Sequence, residues 1–461
     1  MSGKRVALVI LGLALIVAAG GLGAKYSRLG PFAVPQRDAP VVILAVLDTV
    51  RADHTSLCGY ERPTTPTLEA LVEDGATFAC HAHSPSTWTL PSHATFFTGV
   101  GLDKHQAGSG GAERMKGGTV TPLGTALPTL AEELARRGYQ TLLLSGNPVV
   151  SERFGLTRGF EHVAIGRRYP MMHDARLAAR LKGLLRVARL DKAKPLFAFV
   201  NIADAHAPWT AIPDDAGFVP PRPRMSISPG RERFESGEMS DTEAADYLAH
   251  LTDVYDYGVF RADRSLALVL DVLRDQGWLD RGYRMIITSD HGEYLGEHEM
   301  VEHGREFMYE PVTRVPFVFL DSEGEIPLPD DVPSIVAHGL ALEGTLPDPL
   351  PERVASVFRQ PHQVDGLRGR CTYATTALWH ATDKTFANSG SAWLFDLEDD
   401  PAEMTPRPAP DDSKTAAVLE RCAALDAAYL SRPALEAQVE KLAAEQLRAL
   451  GYLRDDEEEN D

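Results

Sequence analysis

The chain has 461 residues, of which 44% are hydrophobic and 24% charged, and a formal net charge of −19. That length suits one large domain, or one domain with a small appendage, and the composition is that of a globular protein. The acidic balance argues against nonspecific nucleic-acid binding, which needs basic surface, so no nucleic acid is expected as a partner.

Lys4 and Arg5 precede an apolar run from Val6 to Ala24 that only glycines interrupt. Its length sits between a signal peptide and a membrane helix. Val17-Ala18-Ala19 offers a small-residue cleavage pattern, while the length of the run favours an uncleaved signal anchor with Lys4 and Arg5 on the cytoplasmic side. Either way the remainder is exported to a periplasmic or extracellular location, and the anchored form has the membrane as a partner. Pro31, Pro35 and Arg37 mark a linker over 25–40.

Val41–Leu47 reads as a buried strand and Thr67–Gly75 as a helix. Leu127–Arg137 reads as a helix closed by Gly138, followed by a strand at Gln140–Leu144. Leu196–Ile202 is another buried strand, and Pro213–Ser240 is a long loop rich in proline, serine and charge. Thr242–Gln276 has helical periodicity, and Arg284–Thr288 and Val315–Leu320 are strands. The alternation predicts an α/β fold, a mainly parallel sheet between helices. After Val364 the pattern changes to short strands, Cys371–Leu378 and Ala392–Leu397, then an alanine-rich helical run, Thr415–Leu450. The expected segmentation is 1–5, 6–24, 25–40, a main domain over 41–363, a smaller α+β part over 364–453, and a solvated acidic tail over 454–461. Four cysteines, Cys58, Cys80, Cys371 and Cys422, allow up to two disulfides; Cys58 with Cys80 is one pairing, and free thiols stay equally open.

Two segments carry the chemistry. Ser86-Thr87-Trp88-Thr89-Leu90-Pro91-Ser92-His93 places a hydroxyl ahead of a proline-fixed turn. Ile286-Ile287-Thr288-Ser289-Asp290-His291-Gly292-Glu293 places a carboxylate and an imidazole after an apolar β-branched run. Asp48 ends a third apolar run. Carboxylate and imidazole at strand ends suit a metal site in an α/β fold, and a hydroxyl nucleophile needs a base or a metal.

These segments resemble the sulfatase branch of the alkaline phosphatase superfamily, over most of the chain from Val41 to Leu453. Leu47-Asp48-Thr49-Val50-Arg51 looks like its first metal segment, and Tyr60-Glu61-Arg62-Pro63 like the stretch that follows. Thr89-Leu90-Pro91-Ser92-His93 stands where that family has Cys-x-Pro-Ser-Arg. Asp204-Ala205-His206-Ala207-Pro208-Trp209 resembles Asp-Pro-His-x-Pro-Tyr, and Thr288 to His298 the second metal segment. His303-Gly304-Arg305 and Arg314-Val315-Pro316 resemble its His-Gly-Lys and Arg-Val-Pro elements, and Leu394 to Pro401 its C-terminal strand and turn. The resemblance implies an alkaline-phosphatase-like fold with a smaller C-terminal part, metal ligands Asp48, Thr89, Asp290 and His291, and Thr89, His206, His303, Arg305 and His93 around the transferred group.

The departures redirect the chemistry. Sulfatases oxidise a Cys or Ser to formylglycine; the methyl on the Thr89 Cβ forbids an aldehyde there. The second aspartate of the first metal segment is Thr49, and the Lys and His of the family's Gly-Lys-Trp-His stretch are missing from Ser145-Gly146-Asn147-Pro148. These changes point to the threonine-using members of the superfamily. The mixed nitrogen and oxygen ligand set favours one zinc or manganese ion, with calcium possible. Taken singly, Thr89 is a turn residue, Asp290-His291-Gly292 a helix cap and His206 a loop residue; their occurrence in family order favours the site reading. His54, His81 and His83 are expected to be polar loop residues near the site, and Thr49 no ligand. The expectation is a metal-dependent hydrolase of sulfate or phosphate esters acting through a covalent threonine intermediate. The alternatives are a transferase of phosphoryl head groups to lipid or glycan, and an inactive sulfatase-like binding protein.

Overall fold

The computed structural model describes residues 39–109, 120–166, 174–223, 225, 230–303, 307–358, 374–380, 382–388 and 391–430. Its central sheet has seven strands: β1 (Val41–Leu47), β2 (Thr77–His83), β3 (Gln140–Ser145), β4 (His162–Ile165), β5 (Leu196–Ile202), β6 (Tyr283–Thr288) and β7 (Arg314–Asp321). Their order is β2-β7-β6-β1-β5-β3-β4. Every neighbouring pair is parallel except those of β7, which runs against both β6 and β2.

β1 is apolar along its whole length because it lies mid-sheet with both faces covered. The strand period of two deals its side chains to opposite faces. Val42, Leu44 and Val46 join the core under α2 (Thr89–Thr98), α3 (Leu130–Arg136) and α7 (Val336–Glu343). Val41, Ile43, Ala45 and Leu47 join the core under α1 (Pro66–Glu73), α4 (Asp174–Ala188) and α6 (Asp241–Asp275). Each large apolar side chain so buried contributes about 1.5–3 kcal/mol. α6 begins where Ser240 and Glu243 form a reciprocal capping box.

A second, antiparallel sheet follows: β8 (Arg353–Phe358), β9 (Ala374–His380), β10 (Asp383–Asn388), β11 (Ser391–Asp396) and β12 (Arg407–Pro408), with α8 (Ser413–Leu430) packed on it. A buried ion cluster fastens this sheet to the first. Lys384 Nζ on β10 donates to Glu403 Oε1 at 2.7 Å, to Glu310 Oε1 at 3.2 Å and to the Met308 carbonyl. Trp379 Nε1 donates to Glu310 Oε1 at 2.8 Å, and the Glu310 amide donates to Glu403 Oε2 at 2.6 Å.

The architecture is the expected one, a mostly parallel sheet between helices with a smaller antiparallel sheet behind it. Local differences have physical causes. Thr89 opens helix α2 rather than a turn, because a proline in the first helical turn costs no hydrogen bond. The expected loop Pro213–Ser240 contains a short helix, α5 (Gly230–Glu235). β8 pairs with the second sheet, ahead of the change of pattern at Val364. His81 and His83 lie in strand β2, not in a loop. Cys58 and Cys80 form a disulfide. The apolar run Val6–Ala24, residues 431–450 of the expected last helix, the acidic tail and Arg305 lie outside the described residues. Among the described residues no helix is long and apolar enough to cross a membrane.

Candidate active site

Four parallel strands end side by side, and the segments leaving their carboxyl ends build the site. Asp48 follows β1, Asn147 follows β3, His206 follows β5, and Asp290 and His291 follow β6. The registers Leu47 with Ile202, Ser145 with Asn201 and Val46 with Thr288 bring these ends level. All of these side chains are buried.

Asp48, Asp290 and His291 each offer one ligand atom, and these atoms lie within 4.8 Å of one another. Thr89 Oγ lies 3.5 Å from His291 Nε2, and its hydroxyl hydrogen-bonds to Asp290. The His291 Nδ1–H donates to the Gly292 carbonyl at 2.9 Å, which leaves the Nε2 lone pair facing the carboxylates. Asp48 Oδ1 and Asp290 Oδ2 are buried without any hydrogen-bond partner. Two orphaned carboxylate oxygens and an imidazole lone pair converging in a dry site are what a divalent cation satisfies. The residues present therefore fit the metal that the resemblance implies.

These groups are held from behind. Asn147 Nδ2 donates to Asp48 Oδ2 at 2.8 Å and to Thr89 Oγ at 3.3 Å. Asn201 Nδ2 donates to the same Asp48 Oδ2 at 2.9 Å. Thr49 turns the chain in the left-handed region at φ 67°. Tyr255 of α6 fixes that turn: its hydroxyl donates to the Thr49 carbonyl at 2.7 Å and accepts from the Arg51 amide at 2.9 Å. Gly292 is required because a Cβ there would lie 2.0 Å from the Pro311 carbonyl oxygen. His93, one turn along α2, donates from Nδ1 to the Thr89 carbonyl at 2.9 Å and lies 3.5 Å from Asp290 Oδ2.

His206 and His303 stand next to the ligand group. Their rings are 4.9 Å apart by centroid, and His303 is 4.3 Å from His291. The His206 Nδ1–H donates to the Ala207 carbonyl at 2.6 Å. His303 Nδ1 lies 2.9 Å from Glu293 Oε1, a carboxyl group that orients the ring and that burial lifts to about 8. Burial, then the neighbouring His303, holds His291 well below the usual imidazole range, and burial with His206 does the same for His303. Burial lifts Asp290 well above the carboxylate range, and the adjacent Asp48 lifts it further. Burial also acts to raise Asp48, but His206, His291 and the Asn201 amide together bring it below its ordinary value.

The structure thus brings together Asp48, Thr89, Asp290, His291, His93, His206 and His303, and does not describe Arg305. His54 is tied to α6, its Nδ1 2.6 Å from Asp256 Oδ1. Asn147, Asn201, Glu293 and Tyr255 were not foreseen as parts of the site. Asn201 had a signal, as the sole polar side chain in the apolar strand Leu196–Ile202.

The family model for sulfatases matches residues 40–334, and the chain belongs to the sulfatase family. Among curated proteins it is similar to phosphatidylethanolamine transferase Mcr-1 of Escherichia coli, with 24% identity over 277 residues. That match covers 60% of this chain and 47% of the relative, so the chain spans about half the length of the protein it matches. Among solved structures it is similar to the phosphonate monoester hydrolase of Agrobacterium radiobacter, with TM-score 0.57 and 19% identity over 85% of this chain and 96% of that one. It is also similar to a protein solved in complex with its substrate D-glucosamine-2-N,6-O-disulfate, with TM-score 0.59 and 15% identity over 87% and 99% of the two chains. Identities this low show a shared fold and leave the reaction to the site.

Proposed function

We propose that the protein is a metal-dependent hydrolase that cleaves phosphate esters through a covalent intermediate on Thr89. The observation that carries this reading is the Thr89 hydroxyl, 3.5 Å from His291 Nε2 inside the Asp48, Asp290 and His291 group. The β-methyl of threonine removes the aldehyde chemistry of sulfate-cleaving relatives, so the nucleophile is the hydroxyl itself, and phosphorus is preferred over sulfur.

Asp48, Asp290 and His291, with Thr89 Oγ, hold the divalent ion; zinc or manganese suits this nitrogen and oxygen set better than calcium. When bound, the ion supplies positive charge that lowers the pKa of the hydroxyl and offsets charge on the transferred group. The protein's own groups do the rest. The Asn147 amide, pointing at both Asp48 and Thr89, fixes the nucleophile's direction. Deprotonated Thr89 Oγ bonds to phosphorus as the bond to the departing alcohol breaks. His206 gives that alcohol a proton, then takes one from the water that releases Thr89. His303, aligned by Glu293, holds the transferred group. Thr89 opens α2, whose N-terminal amides and dipole favour an anionic group there. The Cys58–Cys80 disulfide suits an oxidising, extracytoplasmic compartment.

The test is purified protein with each divalent metal against aryl sulfate, phosphate monoester, phosphodiester and phosphonate substrates, with mass spectrometry of the quenched enzyme. Phosphate on the peptide containing Thr89 is expected; turnover with no adduct there, or with sulfate esters alone, overturns the reading. The similarity to a phosphatidylethanolamine transferase favours one second reading, transfer of the phosphoryl-linked group to an alcohol. It predicts that an added lipid or glycan acceptor outcompetes water for the Thr89 adduct. An inactive binding protein would show no adduct and need not hold stoichiometric metal.

A further inference from the structure

The chain carries a net charge of −19, yet one helix breaks the pattern. Over 174–194, seven cations face only Asp174 and Asp191. The 15-residue helix α4 turns Leu177, Leu181 and Leu185 into the core against α6 and the sheet. That burial leaves Arg176, Arg180, Lys182 and Arg186 on the outward face, followed by exposed Arg189 and Lys194. None of the six forms an ion pair with a described residue. Val187, on the same face, is 68% exposed. Asp241, Glu243 and Asp246 are exposed in the first two turns of the neighbouring α6, but over 258–275 its exposed charges balance, with Arg264 and Arg274 against Asp271 and Asp275. Elsewhere on this surface cations are spent on carboxylates, as in Arg137 with Glu343 and Arg233 with Glu243. The outward face of α4 thus carries cations with no ion-pair partner among the described residues, on a chain that is acidic as a whole.

The position of the patch says which surface. α4 runs down to the amino-terminal edge of the sheet, where β5 starts two residues after Lys194. Arg281 clamps that corner: its guanidinium donates to the Lys194 carbonyl at 3.2 Å and to the Ala39 carbonyl at 2.7 Å. Ala39 is where the chain enters from the segment that holds the apolar run Val6–Ala24. Lys194, the last of the six cations, therefore lies beside Ala39, where an anchor over Val6–Ala24 would lead in, and the C-terminal end of α4 lies away from the strand ends that carry the site.

We propose that the outward face of α4, with Arg189 and Lys194 beyond it, docks the protein on an anionic phospholipid surface. The contact is electrostatic and superficial, because the apolar face of the helix is already committed to the core. Each cation that reaches such a surface improves partition by roughly fivefold, and salt screens the effect.

The test uses the full chain reconstituted into vesicles of phosphatidylcholine alone, or with a third phosphatidylglycerol. Acylation rates of single lysines are read by mass spectrometry. In the anionic vesicles Lys182 and Lys194 should be acylated about fivefold or more slowly than in neutral ones, and high salt should restore the rate. Lys104 and Lys414, exposed elsewhere, serve as controls and should not change. Arg180→Glu with Arg186→Glu should abolish the protection while the control lysines react as before. Equal rates for Lys182 and Lys194 in both vesicles overturn the proposal without any variant. Protection by a soluble polyanion that the anionic vesicles fail to give also overturns it, and assigns the patch to an acidic polymer.

Discussion

Replacing Tyr255 by Phe removes a single oxygen from a ring that is fully buried. That oxygen serves two backbone groups, the Thr49 carbonyl at 2.7 Å and the Arg51 amide at 2.9 Å. Leaving each without a partner costs about 1–3 kcal/mol, so the folded protein should lose about 2–6 kcal/mol. The turn it releases is already unfavourable, because a non-glycine residue in the left-handed region costs about 1–2 kcal/mol. Thr49 at φ 67° holds that conformation directly after Asp48. Relaxation of the turn therefore moves Asp48, a proposed metal ligand, as well as weakening the fold. Urea unfolding in the presence of chelator should show a lower midpoint at unchanged slope. A metal titration should show affinity reduced about 10–100-fold, the usual effect of losing a group that orients a ligand. A variant within about 0.5 kcal/mol of the parent and of equal metal affinity would refute the argument that this hydroxyl holds the turn.

Thr89→Ala should abolish turnover and the covalent adduct with the fold intact, and Thr89→Ser should keep partial activity; wild-type turnover in Thr89→Ala would sink the nucleophile assignment. His206→Ala should slow alkyl esters far more than aryl esters, since only the alkyl alcohol needs a proton to leave; equal slowing would make His206 a binding residue instead. Burial, with Arg137 adding to it, holds His338 of α7 down at about 4. Between about pH 6.5 and 4 the unfolded chain binds a proton that the folded one refuses, so stability falls on acidification at up to about 1.4 kcal/mol per pH unit. His338→Gln should flatten that slope, and an unchanged slope measured by urea unfolding would refute it. Replacing both Cys58 and Cys80 by Ala should cost ~3 kcal/mol, given a separation of 22 residues, and a midpoint equal to that of the parent would show the bridge to be idle.

What was legible in the sequence follows from where the physics is local. Asp48 and Asp290 stand out because each comes at or just beyond the end of an apolar run, and a buried strand announces itself by composition. The long helix α6 was visible from its period and its closing Gly277, while the Ser240 and Glu243 box that starts it fell in the expected loop. Helix α2 was hidden because Pro91 reads as a turn signal, although a first-turn proline is compatible with a helix. Asn147 and Tyr255 carry no local mark at all; they matter because the fold carries them from distant positions to Asp48 and Thr49. Helix α4 does have a period, in Leu177, Leu181 and Leu185, but its many cations and Gly183 mask it.

The ion cluster around Lys384 bears on how such a chain can be inherited. Glu310 lies on the segment between His303 and β7, yet Lys384 and Trp379, which engage it, come from the second sheet. A recombination that exchanged 353–430 for a segment without these partners would leave Glu310 with only His83 Nε2, 3.4 Å from its Oε2, and a buried charge so poorly paired costs several kcal/mol. The two sheets therefore depend on one another through this junction: a change on one side of it calls for a matching change on the other, and the second sheet does not behave as a detachable module.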